Sequence, residues 1–368
     1  MIRLKKVYLN CIYRNNFGDD LLIKTICDYY RNNNFYLINY ESNKKTTIAK
    51  NLQVIDINYF LYRIVRKISK TIFKRRNILD TYMINKCDLV ITLGGSLFMQ
   101  TDNWSLEKDY NKIWYNKLNK PYFIIGANIG PVYTNEYVEF LKEYIFKKAN
   151  NVCLRDIKSY EYVSNMPNIT YCGELVFSYD VSKFSKIKNQ KKVFISLINV
   201  EKKQSQMKNP DVGAYRLLIK QLIDHFINLN YKINLVSLCD SEGDLEEANY
   251  FYNLFDKNKN ISILNYDSNI DEIIEEIASS SIIIGSRFHS NVIGFLLKKC
   301  VIPICYNDKT INLLEDLNFK GTYFDANKLG NQKAFDLSKI DLSYKCDITK
   351  QINNSKKYYE ILNKYLDR

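Results

Sequence analysis

The stretch 281–309, SIIIGSRFHSNVIGFLLKKCVIPICYNDK, carries the residue types best suited to chemistry. Gly285-Ser286-Arg287-Phe288-His289 follows a strand-like run and opens a helix-like one, and Tyr306-Asn307-Asp308-Lys309 follows the next strand-like run. Arg287 offers a planar fork for a carboxylate or phosphate. His289, near a helix N-terminus, is placed to donate to an anion or to shuttle a proton. Lys309 adds a third cation. The competing reading is structural: Arg287 pairs with an acid and His289 packs.

Three other places carry weaker signals. Residues 14–20 (RNNFGDD) join the first expected strand to the first expected helix. Gly18 permits tight backbone geometry, and Asp19 or Asp20 is suited to capping. The sharper alternative makes one of these carboxylates, Asp19 or Asp20, a base toward a sugar hydroxyl. Gly94-Gly95-Ser96 forms a glycine turn after CDLVITL, and Arg155-Asp156 with Ser159 supplies another cation after NVCL, with a structural salt bridge as its competitor. The second histidine, His225, sits at helical spacing in YRLLIKQLIDHFINLNY and reads as a packed or solvated helix residue. No cluster with metal-ligand spacing is apparent, so no metal is expected.

These residues need a scaffold that brings strand ends together. Strand-like runs at 7–13, 87–93, 122–126, 151–154, 192–197, 233–238, 281–285 and 301–306 alternate with helix-like runs at 21–30, 214–229, 270–278 and 292–299. That alternation predicts βαβ units and parallel sheets, whose ligands bind beyond the carboxyl ends of the strands. The polar, basic stretch 181–192 (VSKFSKIKNQKK) is the expected break. It separates a doubly wound domain at 1–180 from another at 193–345, and the amphipathic end, 346–368, is expected to return to the first. The fold class is therefore α/β, with two Rossmann-like domains.

Charge narrows the partners. The 368 residues carry 53 Lys+Arg against 40 Asp+Glu, a net +13, which calls for nucleic acid, a membrane face or a phosphorylated ligand. Nucleic-acid motifs are missing. No run approaches the roughly 18 apolar residues of a spanning helix, and the start does not read as a signal peptide, so a cytoplasmic protein is expected. Nine scattered cysteines without C-x-x-C argue against a disulfide framework. Seven positive charges fall uncompensated in 59–76 (YFLYRIVRKISKTIFKRR), leaving +6 elsewhere. On a helical wheel Leu61, Ile64, Val65, Ile68 and Ile72 share one face. Arg63, Arg66, Lys67, Lys70 and Lys74 gather opposite. Two readings stand: a helix packed on its own sheet, or one lying on an anionic membrane at the inner face of the cell.

Six short pieces in order resemble the polysaccharide pyruvyl transferases: 16–19 (NFGD), 88–96 (DLVITLGGS), 126–131 (GANIGP), 155–159 (RDIKS), 285–289 (GSRFH) and 306–309 (YNDK). The resemblance implies two Rossmann-like domains in a GT-B arrangement with an inter-domain cleft, the first domain on the acceptor side and the second on the phosphoenolpyruvate side. Phosphoenolpyruvate would be a co-substrate rather than a cofactor, held by Arg287, His289 and Lys309 with Arg155. Further substrate contacts are expected from Ser159, Asn16, Gly18, Gly94, Gly95 and Ser96. The acceptor sugar would be nucleotide-linked, polymeric or carried on a lipid diphosphate. The chain departs from the family at Ser96, where a third glycine is common, and at 173–177 (GELVF), where an Asp-Pro-Ala-Phe-like run is usual, which leaves the role of Glu174 open. Two other classes fit the same scaffold: a GT-B glycosyltransferase using a nucleotide sugar, and a non-catalytic membrane-associated scaffold.

Overall fold

A computed structural model describes residues 4–39, 48–71, 78–101, 104, 118–330 and 334–367. The chain divides into two compact units: Met1–Arg14, Asp19–Ser178 and Gln351–Arg368 form the first, Asn15–Gly18 and Tyr179–Lys350 the second. Among the described residues the first unit holds a seven-stranded parallel sheet. Its strands are β1 (Lys6–Asn10), β2 (Asn34–Asn39), β3 (Leu52–Asp56), β4 (Leu89–Leu93), β5 (Tyr122–Ala127), β6 (Asn151–Leu154) and β7 (Ile169–Tyr171), in the order β3-β2-β1-β4-β5-β6-β7. The second holds β8 (Gln190–Ser196), β9 (Lys232–Ser237), β10 (Ile261–Asn265), β11 (Ser280–Gly285), β12 (Cys300–Cys305) and β13 (Phe324–Asp325), in the order β10-β9-β8-β11-β12-β13, also parallel. Each order reverses direction once, between β1 and β4 and between β8 and β11, which is the Rossmann topology with its switch-point crevice.

The first sheet is accompanied by α1 (Phe17–Tyr29), α2 (Tyr59–Thr71), α3 (Ile78–Lys86), α4 (Asn135–Phe140) and α5 (Ile157–Glu161). With the second run α6 (Val200–Lys203), α7 (Val212–Asn228), α8 (Asp244–Leu254), α9 (Ile270–Ser279), α10 (Phe288–Leu296) and α11 (Asp308–Asp316). Two helices close the chain, α12 (Thr349–Ser355) and α13 (Lys357–Leu362).

Central strands are buried along their whole length, as in β4 (LVITL), β5 (YFIIGA) and β12 (CVIPIC), because helices cover both faces of a parallel sheet. Leu218, Ile219, Leu222, Ile223 and Phe226 recur at helical spacing on α7 and pack on Val193, Ile195 and Ile284. That helix begins two residues earlier than the apolar pattern suggests, because Asp211 caps it through the Ala214 amide at 2.8 Å. The stretch 181–192 is not wholly a linker: β8 starts inside it. The Lys192 stem is buried while its ammonium reaches Glu276 at 2.5 Å and Ser279 Oγ at 2.8 Å, so the strand start looks polar in the sequence.

The closing helices pack on the first unit. Tyr359 stacks on Tyr29 with ring centroids 3.5 Å apart, Tyr30 Oη donates to Asn363 at 2.9 Å, and Tyr358 Oη donates to the Gly173 carbonyl at 2.6 Å. Residues 15–18 leave the first unit for a local reason. Phe17 is fully buried, its amide donates to the Leu238 carbonyl at 3.0 Å, and its ring meets Tyr266 edge-on.

Candidate functional site

In the second unit, β11 and β12 are neighbours, so the turns after them lie side by side. α10 starts from Arg287 and α11 from Asn307, and neither helix has a side-chain cap. Three other helices of this unit are capped, Asn199, Asp211 and Asn269 each accepting from a backbone amide in the first turn, whereas α8, which starts from Gly243, lacks a side-chain cap as α10 and α11 do. Two N-termini without side-chain caps at adjacent strand ends put the positive ends of two helix dipoles side by side, which favours a negative ligand. His289 lies in the first turn of α10 and is half-buried. The half-buried Lys309 in the first turn of α11 holds its ammonium 5.9 Å from the Phe288 ring and 5.8 Å from the Tyr306 ring.

Gly18 belongs to this unit. A β-carbon there would fall 2.2 Å from His289 Nδ1, so the imidazole rests directly on the glycine backbone and only glycine leaves it room. Asn16 supplies the local turn, its Oδ1 accepting from the Gly18 amide at 2.9 Å. Asp19 and Asp20 occupy the first turn of α1, Asp19 half-buried and Asp20 fully buried. Capping, expected of an aspartate, is thus done at Gly18 by Asn16, while both carboxylates still favour the helix start through its dipole.

Arg287 is engaged by acids. Its Nε donates to Asp244 Oδ2 at 2.8 Å, its Nη2 to Asp244 Oδ1 and its Nη1 to Glu242. Asp244 is fully buried and also accepts the Leu238 and Cys239 amides at 3.2 and 3.0 Å. Glu242 takes the buried Lys203 ammonium at 2.5 Å. Burial alone would raise the Glu242 carboxyl, but Arg287 and Lys203 override it and hold it at about 2. Burial works against charge on Arg287, yet Asp244 keeps its pKa well above the ordinary guanidinium value. The fork that the sequence offers to a ligand is therefore spent side-on upon Asp244. Arg287 ties the turn after β11 to the loop after β9, and two of its five N–H donors remain outside these bonds.

The Glu242 shift has a pH consequence. A carboxyl held down from 4.5 to about 2 contributes stability that is fully present above about 4.5 and is lost as the pH falls through about 2. Between those values the wild-type melting temperature is expected to fall more steeply than that of Glu242→Gln. Parallel curves in scanning calorimetry would show that the cluster does not titrate this way.

The first unit assembles a second constellation at the ends of β4, β5, β6 and β7. Arg155 is 5% exposed; its Nη2 donates to Asn128 Oδ1 at 2.7 Å and its Nη1 lies 3.5 Å from Glu174 Oε2. A β-carbon on Gly95 would sit 2.2 Å from Arg155 Nη1, so the guanidinium lies against that turn. Gly94 has φ +154, which favours glycine, and Ser96 is half-buried beside it. Glu174, whose role the sequence leaves open, pairs with Arg155.

Ser159 is engaged by the loop after β5. It is fully buried, and its hydroxyl accepts the Ile129 amide at 2.7 Å and donates to the Ile129 carbonyl at 3.3 Å. Asp156 caps α5 through the Ser159 amide at 2.8 Å. Both hold that loop in place, a structural role beside the substrate contact expected at Ser159.

The structure thus brings His289, Gly18, Asn16, Arg287 and Lys309 to one end of the second unit, and Arg155, Gly94, Gly95 and Ser96 to one end of the first. Sequence reasoning missed Asp244, Glu242, Lys203 and Asn128. The acidic loop DSEGD at 240–244, directly after a strand-like run, was the available signal. Among the described residues no group of three or more His, Cys, Asp or Glu converges as a metal site.

Two Rossmann-like domains in one chain, each with its candidate residues at the carboxyl ends of the strands, make up the GT-B fold. Two solved structures share the fold. One is the Methanocaldococcus jannaschii UDP-GlcNAc 2-epimerase in complex with UDP-GlcNAc and UDP (TM-score 0.53, 12% identity, 98% of this chain and 99% of that one). The other is Anabaena Alr3699/HepE in complex with UDP and glucose (TM-score 0.50, 11% identity, 99% and 96%). The polysaccharide pyruvyl transferase family model matches residues 16–308, and the chain belongs to that family.

Proposed function

We propose that the protein transfers the pyruvyl unit of phosphoenolpyruvate to a sugar of a surface-polysaccharide precursor, forming a pyruvate ketal and releasing phosphate. Membership of the family makes the chain a transferase of polysaccharide pyruvylation. The observation that carries the choice of donor is the pair of uncapped helix starts on adjacent strands, flanked by His289 and Lys309. A donor with both a carboxylate and a phosphate suits that density of fixed positive potential.

The chemistry needs a proton delivered to the methylene carbon, which becomes the methyl group. One sugar hydroxyl then bonds to the adjacent carbon and gives up its proton. The carbon–oxygen bond to phosphate breaks, and a second hydroxyl closes the ketal while its proton leaves with phosphate. His289 is assigned to proton delivery and Asp19, next along the chain from Gly18, to accepting the first hydroxyl proton. Lys309 and the amides of α10 and α11 hold the donor's negative charge. Within the first unit, Arg155 beside the turn at Gly94, Gly95 and Ser96 is assigned as a further substrate contact.

The test is a mass-spectrometric screen of nucleotide-linked, lipid-diphosphate-linked and polymeric acceptors with phosphoenolpyruvate. A product heavier by one pyruvate ketal, with one phosphate released per product, is expected. Nucleotide release from a nucleotide sugar without phosphoenolpyruvate would instead make the protein a glycosyltransferase. Ligand-induced stabilisation without any product would make it a scaffold.

A further inference from the structure

We infer that α2 and α3 form a docking face for an anionic lipid surface. Sixteen large hydrophobic side chains are exposed among the described residues, and six of them lie here: Phe60, Leu61, Ile64, Ile68, Ile78 and Tyr82, at 40–69% exposure. The four on α2 fall within an arc of about 100° on the helix. Ser69, fully buried, points to the opposite side and accepts the Ile78 amide at 3.3 Å, which joins α2 to the start of α3. The helix is therefore anchored by its small polar side and turns its apolar arc outward, so packing on its own sheet does not account for the amphipathic pattern.

Charge selects the occupant. Arg63 and Lys67 are exposed beside the apolar arc, and α2 contains no acid. The one acid of α3, Asp80, is buried and accepts from Tyr8 Oη at 2.6 Å, while Lys86 lies 4.2 Å over the exposed Tyr82 ring. The exposed charge on the described part of this face is thus positive only. An apolar arc bordered by cations fits a bilayer interface with anionic headgroups, where apolar side chains enter the headgroup boundary and Lys and Arg meet phosphate. At 13 residues α2 is too short to span, and no described helix is long and apolar enough to do so. A cavity of about 450 Å³ opens on the same corner, lined by Ile38, Ile55, Ile57, Leu79 and Met83, and extends the apolar surface inward.

The test uses the full chain and flotation with vesicles of phosphatidylcholine alone or mixed with phosphatidylglycerol. Binding to the anionic vesicles is expected to exceed that to neutral ones by about tenfold at roughly 0.1 M salt, and to fall as salt rises. Ile64→Asp with Ile68→Asp, and separately Arg63→Glu with Lys67→Glu, are expected to lose about tenfold of that binding. Melting temperature and turnover on a soluble acceptor should not change, because these side chains are exposed and outside the candidate site. Equal binding to both vesicle types, binding to neither, or unchanged binding by the variants would overturn the inference. So would a dimer in sedimentation velocity that the variants dissolve, since the face would then belong to a second copy of the chain.

Discussion

His289→Ala is expected to lower kcat for phosphoenolpyruvate-dependent phosphate release by about 10²- to 10⁴-fold, the usual contribution of a positioned acid or base. KM for phosphoenolpyruvate should change far less, because proton delivery is an interaction of the transition state. The geometry sharpens the expectation. His289 sits in the first turn of an uncapped helix and its Nδ1 side rests on the Gly18 backbone, so its orientation is set from two directions. Gly18→Ala would place a methyl 2.2 Å from Nδ1 and force the ring away, reproducing part of the kcat loss with the imidazole still present. Steady-state kinetics at saturating phosphoenolpyruvate, with circular dichroism to confirm folding, separate the cases. Near-full turnover by His289→Ala would end the acid assignment. A loss confined to KM would recast His289 as a donor to phosphate.

How far the sequence could be read depended on what each residue type reveals by itself. Strands buried on both faces, such as β5 and β12, announce themselves as continuous apolar runs. The edge strands β3 (LQVID) and β10 (ISILN) do not. Each is half-exposed and interrupted by polar residues, so tertiary pairing rather than pattern makes them strands. The helix expected at 292–299 runs from Phe288 to Leu296 instead. It opens within the GSRFH motif and is past its end by Lys298, which takes φ 55. Among site residues, the positions of His289 and Lys309 followed from strand-end logic alone. The commitments of Arg287 and Ser159 did not, because a guanidinium or hydroxyl at a strand end looks the same whether it awaits a ligand or already holds a loop. Only the distant Asp244 and the Ile129 backbone reveal the loop-holding role.

Asp244 is therefore where the largest loss of stability is expected. Asp244→Ala should cost about 3–5 kcal/mol, because it leaves the Arg287 guanidinium in the interior with only the partly exposed Glu242 opposite it. It also strips the Leu238 and Cys239 amides of their acceptor, so the loop from β9 to α8 loosens together with the turn that carries His289. In a unit of this size the loss corresponds to a fall of roughly 6–20 °C in melting temperature. The mechanism makes a second, less intuitive demand. Removing both charges, as Asp244→Leu with Arg287→Met, should cost less than removing Asp244 alone, since the interior then holds no orphaned guanidinium. If Arg287 serves only as a support, the double variant should keep phosphoenolpyruvate-dependent turnover in proportion to its folded fraction. If its two remaining N–H donors also hold the donor substrate, KM for phosphoenolpyruvate should rise even when folding is restored. Thermal melts with kinetics on the single and double variants give both answers, and a melting temperature for Asp244→Ala within about 2 °C of wild type would show that the cluster is not what holds the turn.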